Sequence, residues 1–220
     1  MILVTTATEF EMNSLKDRSG ILFSSCLSCI TGVGISKTAQ NLTRFLCETD
    51  KVIEGVLNIG VGGAYFLPDN SVHQPGLLDI CVAERELFGD LGVCMGDTIE
   101  YLPSDLVGPI EFDLKSTFYN RCCTVLKDAG IEHHTGTFIS VNSVTGKRIR
   151  GEHLQQRWNG LCENMEGAAV AQVCNLFSVP LFELRCISNM VEDRNPAGWR
   201  LQDSCDKMAI TTKKLLEKLI

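Results

Sequence analysis

Four short stretches of the chain set acid, amide or guanidinium side chains beside small residues, and chemistry is possible there. Glu9 and Glu11 stand at the start of the first predicted helix, directly after a strand. A functional reading requires one of them to point into a pocket, whereas the positive end of a helix dipole welcomes both for purely structural reasons. In Asn164-Met165-Glu166-Gly167-Ala168-Ala169 a carboxylate sits between a strand and a helix, and its small neighbours leave room for a ligand. Helix initiation explains that Glu equally well. Ser188-Asn189 close a strand and open a loop, a place shared by binding residues and ordinary turn formers. Glu183 and Arg185 share one face of that strand, as a structural ion pair or as polar support for a site.

The glycines of Asn58-Ile59-Gly60-Val61-Gly62-Gly63 let backbone N–H groups approach a ligand, or simply turn the chain from strand to loop. Gly32-Val33-Gly34 has the same standing, with no GxGxxG continuation. His73, His133, His134 and His153 are scattered in polar surroundings and read as solvated surface residues. No GxSxG elbow, HExxH pair or P-loop lysine is present.

The elements that must carry these residues alternate between apolar runs and helical stripes. Ile2 to Val4 reads as a strand with a helix from about Thr8, and Ile21 to Ile30 as a strand or hairpin. Ile35, Ala39, Leu42 and Leu46 form a helical stripe; Val52 to Ile59 is a strand stopped by the glycines that follow. Leu77 to Val82 and Phe138 to Val141 are further strands, separated by a helix over Phe118, Cys122, Val125 and Ala129 that ends at Gly130. Glu166 to Phe177 is helical, Val179 to Ile187 is a strand opened by Pro180, and Met208 to Leu219 is a closing amphipathic helix. This order predicts one α/β domain over 1–220, a three-layer α/β/α sandwich with a mixed, mainly parallel central sheet flanked by helices. Residues 66–76 and 190–200 are the expected long loops, and 84–93 is expected to be another that lines the site.

Composition narrows the partners. A net charge of −7 argues against nucleic acid, which needs clustered Lys and Arg. No apolar run approaches the ~20 residues that span a bilayer, and no basic stretch with an apolar core opens the chain, so a cytoplasmic protein is expected. The 11 cysteines lack zinc-ligand spacing beyond one CxxC at Cys26 and Cys29. Those in apolar segments, Cys81, Cys94, Cys174 and Cys186, read as reduced, buried small hydrophobes. No metal or cofactor is expected.

Taken together, Ala7-Thr8-Glu9-Phe10-Glu11, the glycines at 58–63, Asn164 to Ala169 and Arg185-Cys186-Ile187-Ser188-Asn189 occur in an order and at separations that resemble the nucleoside phosphorylase/nucleosidase superfamily. Within it the chain is most similar to methylthioadenosine/S-adenosylhomocysteine nucleosidases and, closer still, to futalosine hydrolases. The resemblance implies that Glu11 positions or deprotonates the attacking water, that Glu166 with Met165 holds the ribose hydroxyls, and that Gly62 and Gly63 lie near base and sugar. It places Val144 and Thr145 where adenosine nucleosidases carry an aromatic stacking residue and its neighbour, so stacking is absent at Val144. Ser188 joins the site, and in the loop from Asp193 to Arg200 it offers Arg194 or Arg200 to a benzoate and Trp199 to its ring. A homodimer is implied as well, with the partner closing the 5′ end.

Two departures choose among subfamilies. Phosphorylases carry Arg and Ser at the places of Asn58 and Val61, and neither replacement offers phosphate a fixed charge or a hydroxyl, so water is the expected nucleophile. Adenosine nucleosidases carry Asp where this chain has Asn189. An amide donates to O6 and accepts from N7–H of a 6-oxopurine, whereas a carboxylate would face O6 with repulsion. Futalosine, an inosine-like nucleoside ending in a benzoate, is therefore the expected substrate. Methylthioadenosine/S-adenosylhomocysteine nucleosidase, purine nucleoside phosphorylase and a non-catalytic nucleoside-binding protein are the alternatives.

Overall fold

The computed structural model describes residues 1–68 and 74–220. In chain order its elements are β1 (Ile2–Thr6), α1 (Glu9–Ser19), β2 (Leu27–Ile30), α2 (Ile35–Glu48), β3 (Gly55–Ala64), β4 (Ile80–Phe88), β5 (Gly92–Met95), β6 (Thr98–Tyr101), α3 (Ser104–Val107), β7 (Glu111–Asp113), α4 (Thr117–Asp128), β8 (His134–Ser140), α5 (Arg148–Trp158), β9 (Gly160–Asn164), α6 (Gly167–Phe177), β10 (Leu181–Met190) and α7 (Leu201–Leu219).

Helices cover both faces of the sheet, which is why β1, β3 and β10 are buried along nearly their whole length rather than alternating. α1 and α7 pack together on one side, with α7 against β3 and β10; α2 and α6 pack together on the other. The small residues Ala168, Ala169 and Ala171 let α6 lie close to the strands, and Met208, Thr212, Leu215 and Leu219 form the buried stripe of α7.

The middle layer is mixed and mainly parallel, as expected. β1 runs parallel to β2 and β3, β10 to β3, and β8 to β4 and β9; β4 runs antiparallel to β10 and β7, and β9 to β3. Because β9 returns to β3, the strands β3, β10, β4, β8 and β9 close into a ring, and β1 and β2 extend from it. Local periodicity carries no record of that closure, which depends on pairing between distant strands.

Several expectations are corrected. The glycines do not stop β3, which runs through them to Ala64. They are small because neighbouring elements crowd the strand: a Cβ on Gly62 would stand 2.5 Å from Cys162 Sγ on β9, and one on Gly55 2.5 Å from the Phe118 ring. Residues 21–30 form a 3-10 turn and the short β2, and 84–93 belongs mostly to β4 and β5 rather than to a loop. His133, His134 and His153 are half-buried, with His134 Nε2 3.2 Å from Asp79 Oδ2 and the His153 ring stacked on Tyr101. His73 and part of the 66–76 loop lie outside the described residues. All eleven cysteines are free; Cys81, Cys174 and Cys186 are buried, but Cys94 is exposed on the β5–β6 ribbon. Among the described residues no helix is long and apolar enough to cross a membrane.

Overpacking at the β3–β9 contact should be felt directly. Gly62→Ala is expected to lower the unfolding free energy by about 1–3 kcal/mol, measured by urea denaturation; parental stability would show that the glycine is not there for packing.

Candidate active site

Thr8 caps α1. Its hydroxyl accepts from Glu11 N (3.3 Å), and Glu11 Oε2 accepts in return from Thr8 N (3.0 Å) and Thr8 Oγ1 (2.8 Å). The helix-start explanation of Glu11 is thus correct, yet it uses only one oxygen. Oε1 is aimed at β3, 3.4 Å from Val61 N and 2.8 Å from the place a Cβ on Gly60 would take. One oxygen of this carboxylate builds the helix, and the other accepts from the backbone of β3.

Glu166 occupies the N-cap of α6 but does not cap it with its side chain. Asn164 Oδ1 does that work, accepting from Glu166 N (2.9 Å) and Gly167 N (2.7 Å), while Ser140 Oγ accepts from Ala168 N (2.8 Å). The Glu166 carboxylate, 6% exposed, is free to point elsewhere. Its Oε1 accepts from Gly34 N (3.1 Å), an N–H presented by a backbone with φ 89°, which only glycine adopts readily. Its Oε2 lies 3.5 Å from Arg185. Burial pushes this carboxyl above its ordinary value and Arg185 opposes the shift, with Glu11 and Glu183 adding to it.

Arg185 is itself 2% exposed. Its Nε and one terminal nitrogen donate to Glu183 Oε1 (2.9 and 2.8 Å), and the other terminal nitrogen donates to Val61 O (3.4 Å) and faces Glu166. Gly60 lies opposite it in the register, where a Cβ would stand 2.6 Å from the guanidinium. The Glu183–Arg185 pair is therefore a structural ion pair whose guanidinium also faces Glu166. The sequence signal for it was the i, i+2 spacing on one strand.

Asn189 is aimed by a β-bulge. Ile187 pairs with Gly62 and Asn189 with Gly63, so Ser188 is an extra residue. Ser188 Oγ lies 3.2 Å from Gly62 O and 2.9 Å from Asn189 Oδ1, and Asn189 Nδ2 donates to Met190 O (3.1 Å). One amide N–H and one oxygen lone pair remain for a ligand. A Cβ on Gly63 would stand 3.0 Å from Asn189 Nδ2, so that glycine makes room for the amide. From the Arg185–Gly60 pair to the Asn189–Gly63 pair is three residues of β3, about 10 Å at ~3.3 Å per residue.

The remaining expected residues sit around this axis. Val144 is 39% exposed, and Met165 is half-buried beside Glu166. Thr145 is turned into the protein: its N–H and hydroxyl both donate to the buried Glu163 (2.8 and 2.5 Å), which also accepts from Tyr65 Oη (3.0 Å). Arg150 donates to Ser143 O (2.8 Å) and Thr145 Oγ1 (3.0 Å) and so fastens the 143–145 loop. Neither Glu163 nor Arg150 carries a sequence signal, since both lie in stretches without apolar periodicity. Arg194 is exposed and its guanidinium packs 4.9 Å over the Trp199 ring; its loop is tied to Gly146 O (3.2 Å), and Arg200 N donates to Ser188 O (2.8 Å). Asn58 is buried, accepting from Thr5 Oγ1 (2.9 Å), and its register partner is Glu183.

A carboxyl raised by folding contributes stability below its unfolded value, about 4.5, that is lost as pH rises through the folded value. Glu166→Gln removes that loss. Its melting temperature should rise relative to the parent above about pH 4.5, and the gap should widen until the pH passes the folded value and then hold; parallel curves throughout would contradict the assignment.

A family model described as the phosphorylase superfamily matches residues 9–220. The chain is 28% identical over 193 residues to the futalosine hydrolase of Thermus thermophilus, covering 84% of this chain and 79% of that one. It is 31% identical over 162 residues to the futalosine hydrolase of Streptomyces coelicolor, covering 73% and 64%. Its fold matches a crystal structure of a mutant Helicobacter pylori methylthioadenosine nucleosidase with 5′-methylthioadenosine in the active site, with TM-score 0.83 and 19% identity over 98% of this chain and 97% of that one.

Proposed function

The chain belongs to the phosphorylase superfamily, and from that premise we propose that it is a futalosine hydrolase, releasing hypoxanthine and dehypoxanthine futalosine on a route to menaquinone. The observation that carries this reading is an amide, Asn189, beside Gly63 at one end of a three-residue span whose other end holds Glu166, Arg185 and Glu11. The futalosine hydrolases among its relatives point the same way.

An N-ribosidic bond breaks through a sugar with oxocarbenium character. Glu166, held by Gly34 N–H and faced by Arg185, accepts hydrogen bonds from the ribose hydroxyls that strengthen as positive charge develops. Glu11 Oε1, the oxygen not spent on Thr8, orients water on the opposite face. Asn189 has no acidic proton, so water protonates N7 while the amide reads O6 and N7–H. Val61 offers no hydroxyl, Asn58 is buried, and Arg185 is engaged by Glu183; nothing in that set invites phosphate over water. Val33, Val144 and Ile149 expose apolar side chains near the loops of the site, the surface that the second subunit of a cytoplasmic homodimer would cover.

One observation favours methylthioadenosine/S-adenosylhomocysteine cleavage as the second reading. Arg194 and Trp199 are engaged with each other rather than open toward a benzoate, which suits the small, uncharged 5′-methylthio group of methylthioadenosine better than a charged 5′ extension.

Asn189→Asp tests the base assignment. It is expected to weaken turnover of 6-oxopurine nucleosides by about 1–3 kcal/mol, roughly 5- to 150-fold in kcat/KM, and to admit adenine nucleosides; unchanged kinetics with both bases would remove the selector. Glu11→Gln is expected to reduce kcat by about 10²- to 10⁴-fold with little change in KM, and full activity would remove Glu11 from the mechanism.

A further inference from the structure

The closed ring holds a second carboxylate that the mechanism does not use. Glu86 lies on β4 with no exposed surface, in a stretch whose charge (Glu84-Arg85-Glu86) made it read as a loop. Its Oε1 accepts from Asn164 Nδ2, and its Oε2 from Leu87 N (3.0 Å), with Ser140 Oγ 3.2 Å away. Asn164 in turn gives its Oδ1 to the backbone N–H groups of Glu166 and Gly167 and to Ser140 Oγ (3.0 Å). Asn164 can serve α6 in this way only while its amide is held in one orientation, and the group that orients it from behind is Glu86.

The first residue of α6 bears the imprint of this arrangement. A Cβ on Gly167 would overlap Glu86 Oε1 and stand 2.6 Å from Glu183 Oε1, so glycine is required for Glu86 to reach Asn164. The same geometry sets the carboxyls of Glu86 and Glu183 close together, with Glu166 nearby and Arg185 as the neutralising cation. Burial first, and the charge of Glu183 second, push the Glu86 carboxyl well above the usual range, while Asn164, Arg185 and Leu87 N–H pull the other way. A protonated Glu86 completes the hydrogen bonds without conflict. Its O–H donates to Ser140 Oγ, Ser140 donates to Asn164 Oδ1, and Asn164 Nδ2 returns to Glu86 Oε1.

We propose that Glu86 is a positioning residue, which through Asn164 fixes the backbone of Glu166 and so aims the carboxylate at the ribose. The proposal rests on Glu166 being the ribose-facing group. It does not require Glu86 to touch substrate.

Two variants read it in the folded enzyme. Glu86→Asp withdraws the carboxyl from Asn164 by one methylene, and Glu86→Gln keeps the reach without the charge. Steady-state hydrolysis of futalosine would be measured beside amide hydrogen exchange at Glu166, Gly167 and Ala168 in the substrate-free proteins. Glu86→Asp is expected to lower kcat by about 10- to 100-fold with a smaller change in KM, and to speed exchange at Glu166 and Gly167. Glu86→Gln is expected to recover most of both. Parental kcat and parental exchange in Glu86→Asp would overturn the proposal, as would a folded Glu86→Gln that loses both. If the parent enzyme leaves futalosine intact, the functional reading fails, and exchange in the two variants still decides whether Glu86 holds the α6 entry.

Discussion

A guanidinium sealed inside the sheet governs much of this structure. Arginine cannot shed its proton, so burying Arg185 demands carboxylates within reach, and Glu183 answers with one oxygen bridging two of its nitrogens. That pair then decides what the neighbours can be. Gly60 must lack a side chain where the guanidinium crosses β3, and Glu166 can remain a carboxylate at 6% exposure because Arg185 lies 3.5 Å away. Carboxylates still outnumber the cation: Glu183, Glu166 and the near side of Glu11 surround a single guanidinium. A negative surplus in a dry place is expensive for a resting protein, and under the proposed function it is the charge that a sugar turning positive in the transition state would meet.

The ring closure turns this electrostatic centre into an axis. β3 and β10 run in parallel, so Arg185 and Asn189 appear at successive heights beside Gly60 and Gly63. The extra residue at Ser188 re-aims the chain between them. Charge therefore gathers at one height and a neutral amide stands at the other. The loops around 144 and 194 are fastened to this axis through Glu163, Arg150 and the backbone of Gly146 and Ser188.

How much of this could be read from the chain depended on whether residues advertised their burial. Helices α2, α4, α6 and α7 announced themselves by apolar stripes, and β1 and β10 by continuous apolar runs. The fold class followed from that alternation. β9 did not, because Glu163 and Asn164 face the protein interior and break the apolar signature, and α5 did not, because among its buried residues are Gly151 and Gln155. β4 was cut short at Val82 for the same reason: its charged continuation looks solvated until Glu86 is seen inside the ring. Glu11, Glu166 and Asn189 were legible as candidates, each with a structural explanation beside it, and only that of Glu11, the helix start, holds in the fold. The geometry added that Glu11 divides its oxygens between helix and strand and that Asn164 relieves Glu166 of capping.

The central claim is that water cleaves a 6-oxopurine nucleoside here, with Asn189 choosing the base. Chromatography of the base released from futalosine, inosine and methylthioadenosine, with and without phosphate, tests it most directly. Hypoxanthine is expected from futalosine at a rate indifferent to phosphate. Adenine from methylthioadenosine with futalosine left intact, or release that requires phosphate, would contradict it.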